Sequence, residues 1–165
     1  MIRYFLLSIS CIALLASCDM NSCQDVACGY NQFCAGGRCY CNDGYEGSGC
    51  GNLSADKYVG SYLVYEYCTP ASPFGPYNVN VNYGLQPNQI TLSNLFNSGL
   101  SFTGVIRTDQ TTNEGNALFI QDNQGGISCN CQGLFYVSAG RIDLQGSYTA
   151  GFDSYSCSNF TMYKQ

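Results

Sequence analysis

Six cysteines lie between positions 23 and 50, and this density constrains the fold more than any other feature of the chain. A segment this short cannot bury enough apolar surface to fold on that basis alone, so cross-links must stabilise it. Six cysteines allow fifteen pairings. Cys39 and Cys41 project to one side of an extended strand and are badly placed to bond each other. The sequence therefore predicts a small disulfide-rich module at residues 23–50.

A zinc site is the alternative use of so many cysteines. The chain contains no His, which removes the nitrogen ligand that zinc sites often include. Twelve cysteines in 165 residues also suit an oxidising compartment, where disulfides persist. We therefore expect disulfides, and neither a metal site nor a cofactor.

The end of this segment carries a specific spacing, Cys39-x-Cys41-x5-Gly47-x2-Cys50, with Gly44 and Tyr45 inside it. Residues 23–50 resemble an epidermal-growth-factor-like (EGF-like) module over their whole length. The resemblance implies that the first cysteine pairs with the third, the second with the fourth and the fifth with the sixth. The implied disulfides are Cys23–Cys34, Cys28–Cys39 and Cys41–Cys50.

Some modules of that family bind calcium through an acidic or amide cluster before the first cysteine and an Asp or Asn two residues after the third. Here Ser22 occupies the position adjacent to Cys23, and Gly36 follows Cys34 by two residues. Calcium needs six or more oxygen ligands, several of them carboxylate. We therefore expect no calcium site.

The first seventeen residues have the organisation of a signal peptide. Arg3 is followed by an apolar run from Tyr4 to Leu15, which is shorter than the roughly 20 residues that a membrane-spanning helix needs. Small residues follow, and then Cys18. The alternative is an ordinary secretory signal with a cysteine nearby by chance.

Leu15-Ala16-Ser17-Cys18 resembles the lipobox of bacterial lipoproteins, in which the cysteine is lipid-modified and becomes the first residue of the mature chain. The resemblance implies a signal peptide at residues 1–17, a lipidated N-terminus at residues 18–22 and Cys18 as the lipid-modified residue. Cleavage removes Cys11, and lipid on Cys18 then leaves an even number of cysteines for disulfides. We expect a lipid-anchored protein of the bacterial cell envelope, at the outer membrane or cell surface.

Residues 54–165 follow a different pattern, in which apolar residues alternate with polar ones and turn-prone clusters intervene. The alternation predicts about eight short strands in an antiparallel β-barrel or β-sandwich. The apolar alternation runs through residues 58–64, 79–83, 90–92, 102–106, 118–120, 134–136, 142–148 and 160–162. The whole mature chain is thus predicted to be mostly β, as two domains with a boundary near residue 52 and stabilities of their own.

The start of this second domain, Lys57-Tyr58-Val59-Gly60-Ser61-Tyr62, is similar to the first-strand pattern of lipocalin-like barrels, aromatic-x-Gly-x-Trp. Tyr62 stands where that family has Trp. The resemblance covers one strand and implies a barrel architecture without implying a ligand.

Cys68, Cys129, Cys131 and Cys157 remain for this domain. In a closed barrel the first and last strands run side by side, which favours Cys68–Cys157 and leaves Cys129–Cys131 as a bond within a tight loop. A bond between residues two apart requires a sharp bend. The alternative is a crossed pairing, in which Cys68 and Cys157 each take one of the other two.

Catalytic residues are not evident. Without His, no Ser-His-Asp or Cys-His arrangement is possible. The carboxylates fall on different predicted strands and loops, so we expect that the protein is not an enzyme. The alternative is a hydrolase in which two of these carboxylates meet in a cleft. These carboxylates are Glu66, Asp109, Glu114, Asp122, Asp143 and Asp153.

Composition narrows the class of partner. The net charge is −5 and only 10% of residues are charged, which argues against nucleic acid, since nucleic acid needs clustered Lys or Arg. Ten tyrosines in residues 54–165 suit either a core or a binding platform. We expect a binding or adhesion module for a protein or glycan partner, and the alternative is a lipocalin-like carrier of a small apolar ligand.

Overall fold

The structure is a computed structural model, and it describes residues 22–71 and 75–165. The predicted signal peptide (residues 1–17) and the predicted lipidation site, Cys18, lie outside the described residues. None of the helices among these residues combines the length and the apolar character of a membrane-spanning helix.

Residues 23–53 form two small hairpins, and three disulfides hold this region together. The first pairs β1 (Gln32–Ala35) with β2 (Arg38–Cys41), and the second pairs β3 (Tyr45–Glu46) with β4 (Asn52–Leu53). Gly36 and Gly37 make the first turn with φ of 56° and 77°, a conformation that residues with a Cβ rarely adopt. The disulfides are Cys23–Cys34, Cys28–Cys39 and Cys41–Cys50, the same pairing that the resemblance implied.

The second domain begins with a short helix, α1 (Ala55–Tyr58), and continues as eight strands. The strands are β5 (Gly60–Thr69), β6 (Tyr77–Tyr83), β7 (Gln89–Ser93), β8 (Ser101–Asp109), β9 (Glu114–Gln124), β10 (Ile127–Tyr136), β11 (Arg141–Ala150) and β12 (Asp153–Lys164). Each strand pairs antiparallel with its neighbours in sequence, and β12 returns to pair with β5. The domain is therefore a closed up-and-down barrel, which settles the choice between barrel and sandwich that the sequence left open.

Side chains fill the interior of the barrel, because the alternating apolar residues of each strand point inward. Phe96, in the 3-10 helix Leu95–Asn97, inserts at the end far from the disulfide-rich module and stacks on Tyr148 with ring centroids 4.1 Å apart. Tyr58 of α1 closes the other end, and its hydroxyl donates to the carbonyl oxygen of Gly115 at 3.1 Å. Both tyrosines and Phe96 are almost completely buried.

One disulfide joins the first and last strands of the barrel. Cys68 and Cys157 are register partners on β5 and β12, and their sulfur atoms are bonded. This is the pairing that barrel closure favoured in the sequence.

The expected Cys129–Cys131 disulfide is not formed, and both residues are buried free thiols. They do not lie in a loop, because β10 already begins at Ile127 and both residues pair regularly with β11, opposite Tyr148 and Gly146. Side chains two apart on a straight strand point the same way but stand too far apart to bond. The prediction of a tight loop here was wrong, and so was the alternative crossed pairing.

The disulfide-rich module contacts one end of the barrel through its second hairpin. Lys57 forms an ion pair with Glu46 at 2.5 Å, and both side chains are largely buried. The backbone N–H of Gly115 donates to the same Glu46 carboxylate at 3.0 Å. A Cβ on Gly44 would lie 2.5 Å from the backbone nitrogen of Asn88, so the two backbones touch there. These contacts hold the disulfide-rich module against the barrel.

Candidate functional site

The ten tyrosines of the second domain divide equally between the core and the surface. Five are buried in the barrel, namely Tyr58, Tyr62, Tyr77, Tyr148 and Tyr155. Five are exposed, namely Tyr65, Tyr67, Tyr83, Tyr136 and Tyr163. Core filling therefore accounts for half of these tyrosines, and the other half lie exposed at the surface.

Four of the exposed tyrosines lie on one side of the barrel wall. Tyr65 and Tyr67 point outward from β5, Tyr163 from β12 and Tyr136 from β10, and each ring is 36–62% exposed. We call the outward surface of β5 and β9–β12 that carries these four rings the tyrosine face. Phe119 and the half-exposed Leu134 add apolar surface to it.

Strand register places these residues side by side. Arg141 is paired with Tyr136 on one side and with Tyr163 on the other. The rings of Tyr65 and Tyr163 meet edge to face with centroids 6.0 Å apart. The tyrosine face is therefore a continuous surface, built by cross-strand neighbours of the kind that stabilise sheets.

Charge at the centre of the tyrosine face is internally balanced. Arg141 binds Asp143 at 2.8 Å, and its guanidinium lies over the ring of Tyr136, 5.0 Å from the centroid. Arg141 Nε and Asp143 Oδ1 are buried and have no hydrogen-bond partner among the residues that the structure describes. The pair gives the face polar character without net charge.

Two adjoining depressions lie on the tyrosine face, with volumes of about 380 and 690 Å³. The side chains of Ser158 and Asn159 border both of them. Gln132 and Gln145 line the first depression, and Tyr65, Tyr67 and Tyr163 line the second. Side-chain amides can both donate and accept hydrogen bonds, so the surface combines ring faces with uncharged polar groups.

Backbone irregularity shapes this part of the wall. The register shifts between Leu144 and Gly146 on β11, and again between Cys157 and Asn159 on β12. At Gly133 a Cβ would lie only 1.8 Å from the carbonyl oxygen of Asp143, so β10 and β11 approach closely beneath the first depression. Bulges and a glycine contact of this kind bend a barrel wall locally.

The carboxylates considered in the sequence occupy separate places. Glu66 points into the barrel and accepts hydrogen bonds from the hydroxyls of Tyr77 and Tyr148. Asp122 accepts from the backbone N–H of Thr103, and Asp109 accepts from the turn that follows it. Asp143 binds Arg141, whereas Glu114 accepts from Asn116 and Asp153 begins β12. The structure does not bring these six together in one cleft.

Burial also sets the chemistry of the two thiols inside the barrel. It raises the pKa of Cys129 to about 11, and burial together with the charges of Cys129 and Glu66 raises the pKa of Cys131 to about 12. Burial likewise raises the pKa of Tyr77, and the neighbouring Glu66 adds to that effect. These thiols are therefore protonated and poorly nucleophilic at neutral pH.

Sequence reasoning did not identify Gln132, Gln145 and Asn159 as members of a site. Each stands at an outward position of its strand, where polar residues are ordinary. The one available signal was the run of outward tyrosines, because alternation assigns Tyr65 and Tyr67 to the face opposite Val64.

The tyrosine face on the filled barrel is the candidate functional site. Comparison of the chain with protein-family models, with curated proteins and with solved structures finds no match.

Proposed function

We propose that this chain is a lipid-anchored binding protein of the bacterial cell envelope. The lipid on Cys18 holds it at a membrane, the EGF-like module joins the anchor to the barrel, and the tyrosine face binds a partner outside the cytoplasm. The observation that carries this proposal is the gathering of four exposed tyrosines on one side of the barrel.

The anchor rests on the sequence. Leu15-Ala16-Ser17-Cys18 directly follows an apolar segment, and two or three acyl chains on one cysteine hold a protein at a bilayer stably. Four disulfides among the described residues agree with folding in an oxidising compartment. Export and lipid attachment together explain both features.

The binding role rests on exposure and packing. Tyr and other large rings supply much contact area at a low cost in side-chain entropy. Exposed rings clustered with a depression mark interaction surfaces more often than singly scattered ones do. Because Phe96, Tyr148 and their neighbours fill the barrel, the outer wall is a better place for a ligand than the interior.

Lipid attachment is tested by producing the full chain in a bacterial host. We expect mass spectrometry to show an acylated Cys18 as the first residue, and fractionation to find the protein in membranes. Cys18→Ser should remain unprocessed and unacylated. An intact Met1 on the wild-type protein, or a soluble form with a bare Cys18, would overturn the anchor.

Binding is tested by adhesion of cells that produce the full chain to surfaces coated with fibronectin, with mucin or with cellulose. We expect at least one surface to retain these cells, and the double variant Tyr65→Thr and Tyr163→Thr to abolish retention. Thr removes the ring but, like Tyr, has a high strand propensity. Tyr30→Thr in the disulfide-rich module is the matched control for loss of an exposed ring. Retention that survives the double variant would show that the tyrosine face is not the binding surface.

A further inference from the structure

We propose that the ligand of the tyrosine face is a neutral oligosaccharide, with sugar rings stacked on the tyrosines and sugar hydroxyls bonded to the neighbouring amides. The inference rests on the proposed function and names the chemical class of its ligand.

The exposed tyrosine rings match the apolar faces of a sugar ring. A pyranose ring presents carbon-bound hydrogens on its faces, and a flat ring such as that of Tyr offers an apolar surface to them. Tyr65, Tyr67 and Tyr163 are all partly exposed around one depression. Their hydroxyl groups add hydrogen-bonding capacity at the edge of each ring. A ligand with apolar faces and polar edges fits this arrangement.

The side-chain amides beside these rings match the hydroxyl groups of a sugar. Gln132, Gln145 and Asn159 border the depression beside Leu134. Amide groups donate and accept hydrogen bonds, as sugar hydroxyls do. A few polar groups around apolar surface are what fixes orientation in small-molecule sites. An aliphatic ligand would leave these amides unpaired and would lose affinity accordingly.

The charge distribution selects a neutral chain. Among the described residues that line the two depressions, Asp143 is the one with a charge, and Arg141 already pairs with it. An anionic polysaccharide would need several Lys or Arg side chains along its length, and the face has one beside it, Arg107, whose guanidinium lies over the ring of Phe119. A basic partner would need free carboxylates. The ion pair of Arg141 with Asp143 therefore leaves no unbalanced charge at the one charged residue of the lining.

The size of the site suits more than one sugar. The depressions adjoin at Ser158 and Asn159, and their volumes of about 380 and 690 Å³ fall in the range of ligand pockets. Rings on β5, β10 and β12 are separated by the strand spacing of about 4.8 Å and its multiples. The site is therefore extended across the strands, as an oligosaccharide requires.

The test is calorimetric titration of the full lipidated chain in a detergent without a sugar headgroup, since maltoside detergents would compete. The probes are cellohexaose, xylohexaose, mannohexaose and laminarihexaose, with oligogalacturonate as the anionic comparison. We expect at least one neutral hexasaccharide to bind and oligogalacturonate to bind more weakly. Because the chain has no Trp, quenching of tyrosine fluorescence gives a second readout.

Variants then assign the site. Tyr65→Thr and Tyr163→Thr should each weaken binding about tenfold, as loss of a central ring does at a binding hot spot. Gln145→Leu should weaken binding without changing the fold, and Tyr30→Thr should leave affinity unchanged.

Three results would overturn the inference. The first is no binding of any neutral hexasaccharide, and the second is binding that the tyrosine variants leave unchanged. The third is a dimer of this chain that dissociates in the tyrosine variants, which would make the face a self-association surface. Adhesion to fibronectin that depends on the tyrosines, with no hexasaccharide binding, would rule out an oligosaccharide as the ligand. The proposed binding function would still stand.

Discussion

The surroundings of Cys129 and Cys131 make their thiols unreactive in the folded protein. Both thiols point into a filled barrel, and burial is the main cause of their raised pKa values, about 11 and about 12. A thiol must ionise to react, so neither should exchange with Cys68–Cys157 in the folded protein. The free thiols are thus compatible with an oxidising compartment, because the fold protects them.

We predict that iodoacetamide at pH 8 leaves both thiols unmodified in the folded protein and modifies them in urea. Mass spectrometry of the alkylated chain measures this. Rapid labelling of the folded protein would contradict the burial of these groups.

We also predict that stability falls at alkaline pH. The folded thiols hold their protons up to about pH 11 and 12, whereas unfolded thiols release theirs near pH 9. The folded state therefore binds more protons, and the free energy of unfolding decreases as pH rises through this window. Urea unfolding at pH 7, 9 and 10 measures the decrease.

Cys129→Ala with Cys131→Ala is the control variant for that measurement. It should flatten the decrease between pH 9 and 10. Above pH 10 the decrease should persist, because burial also raises the pKa values of Tyr58, Tyr62 and Tyr77. If the free energy of unfolding falls equally between pH 9 and 10 in the wild-type protein and the double variant, the thiols do not cause the decrease.

The strands β10 and β11 approach each other closely at Gly133, where there is no room for a side chain. We predict that Gly133→Ala lowers the free energy of unfolding by about 3 kcal/mol, since a Cβ 1.8 Å from the Asp143 carbonyl oxygen must push the strands apart. Gly49→Ala is the matched control, because nothing lies within 4 Å of the position of its Cβ. Equal stability of the two variants in urea would show that the strands do not approach this closely.

The eight strands could be predicted because each alternates over several residues, and inward residues such as Val64 and Ile120 mark the core without any tertiary information. The β9–β10 connection could not. The polar run from Asp122 to Gly126 has the composition of a turn, yet β9 continues to Gln124 and Gly125–Gly126 alone makes the turn. Antiparallel pairing with β10 outweighs the weak strand propensity of these polar residues.

The tyrosine face was beyond sequence reasoning for a different reason. It depends on which outward residues become neighbours, and that follows from barrel closure and from two register shifts. Tyr65 on β5 meets Thr161 and Tyr163 on β12, almost a hundred positions away, only because the last strand pairs with the first. Local patterns specify which side of a strand faces out, but not what lies beside it.

At the scale of the molecule, the disulfide-rich module and the barrel share an interface that the short connection did not reveal. Asn113 accepts hydrogen bonds from the backbone N–H groups of Cys41 and Gly47 at 3.2 and 3.1 Å. The Glu46–Lys57 ion pair lies beside these bonds. The sequence predicts domains with stabilities of their own, and these contacts add a coupling between them.

We predict that Glu46→Ala lowers the free energy of unfolding of the barrel by about 2–3 kcal/mol. The change leaves the ammonium of Lys57 without its carboxylate in a largely buried place, and the N–H of Gly115 without its acceptor. Urea unfolding followed by tyrosine fluorescence measures the change. Asp25→Ala, which removes an exposed carboxylate from the same module, should change stability little; a similar loss in both variants would mean that the ion pair does not couple the domains.

The placement of Tyr65 and Tyr67 on β5 has a mechanical consequence. The strand that carries these rings is also the first strand after the module. In the proposed function, tension between the lipid anchor and a bound partner would therefore act along β5. Along that direction the ladder bonds to β6 and β12 share the load and are sheared together, rather than broken one after another. The Cys68–Cys157 disulfide adds a covalent cross-link between β5 and β12 near the far end of β5. The paired strands and the disulfide together would resist a pull along β5.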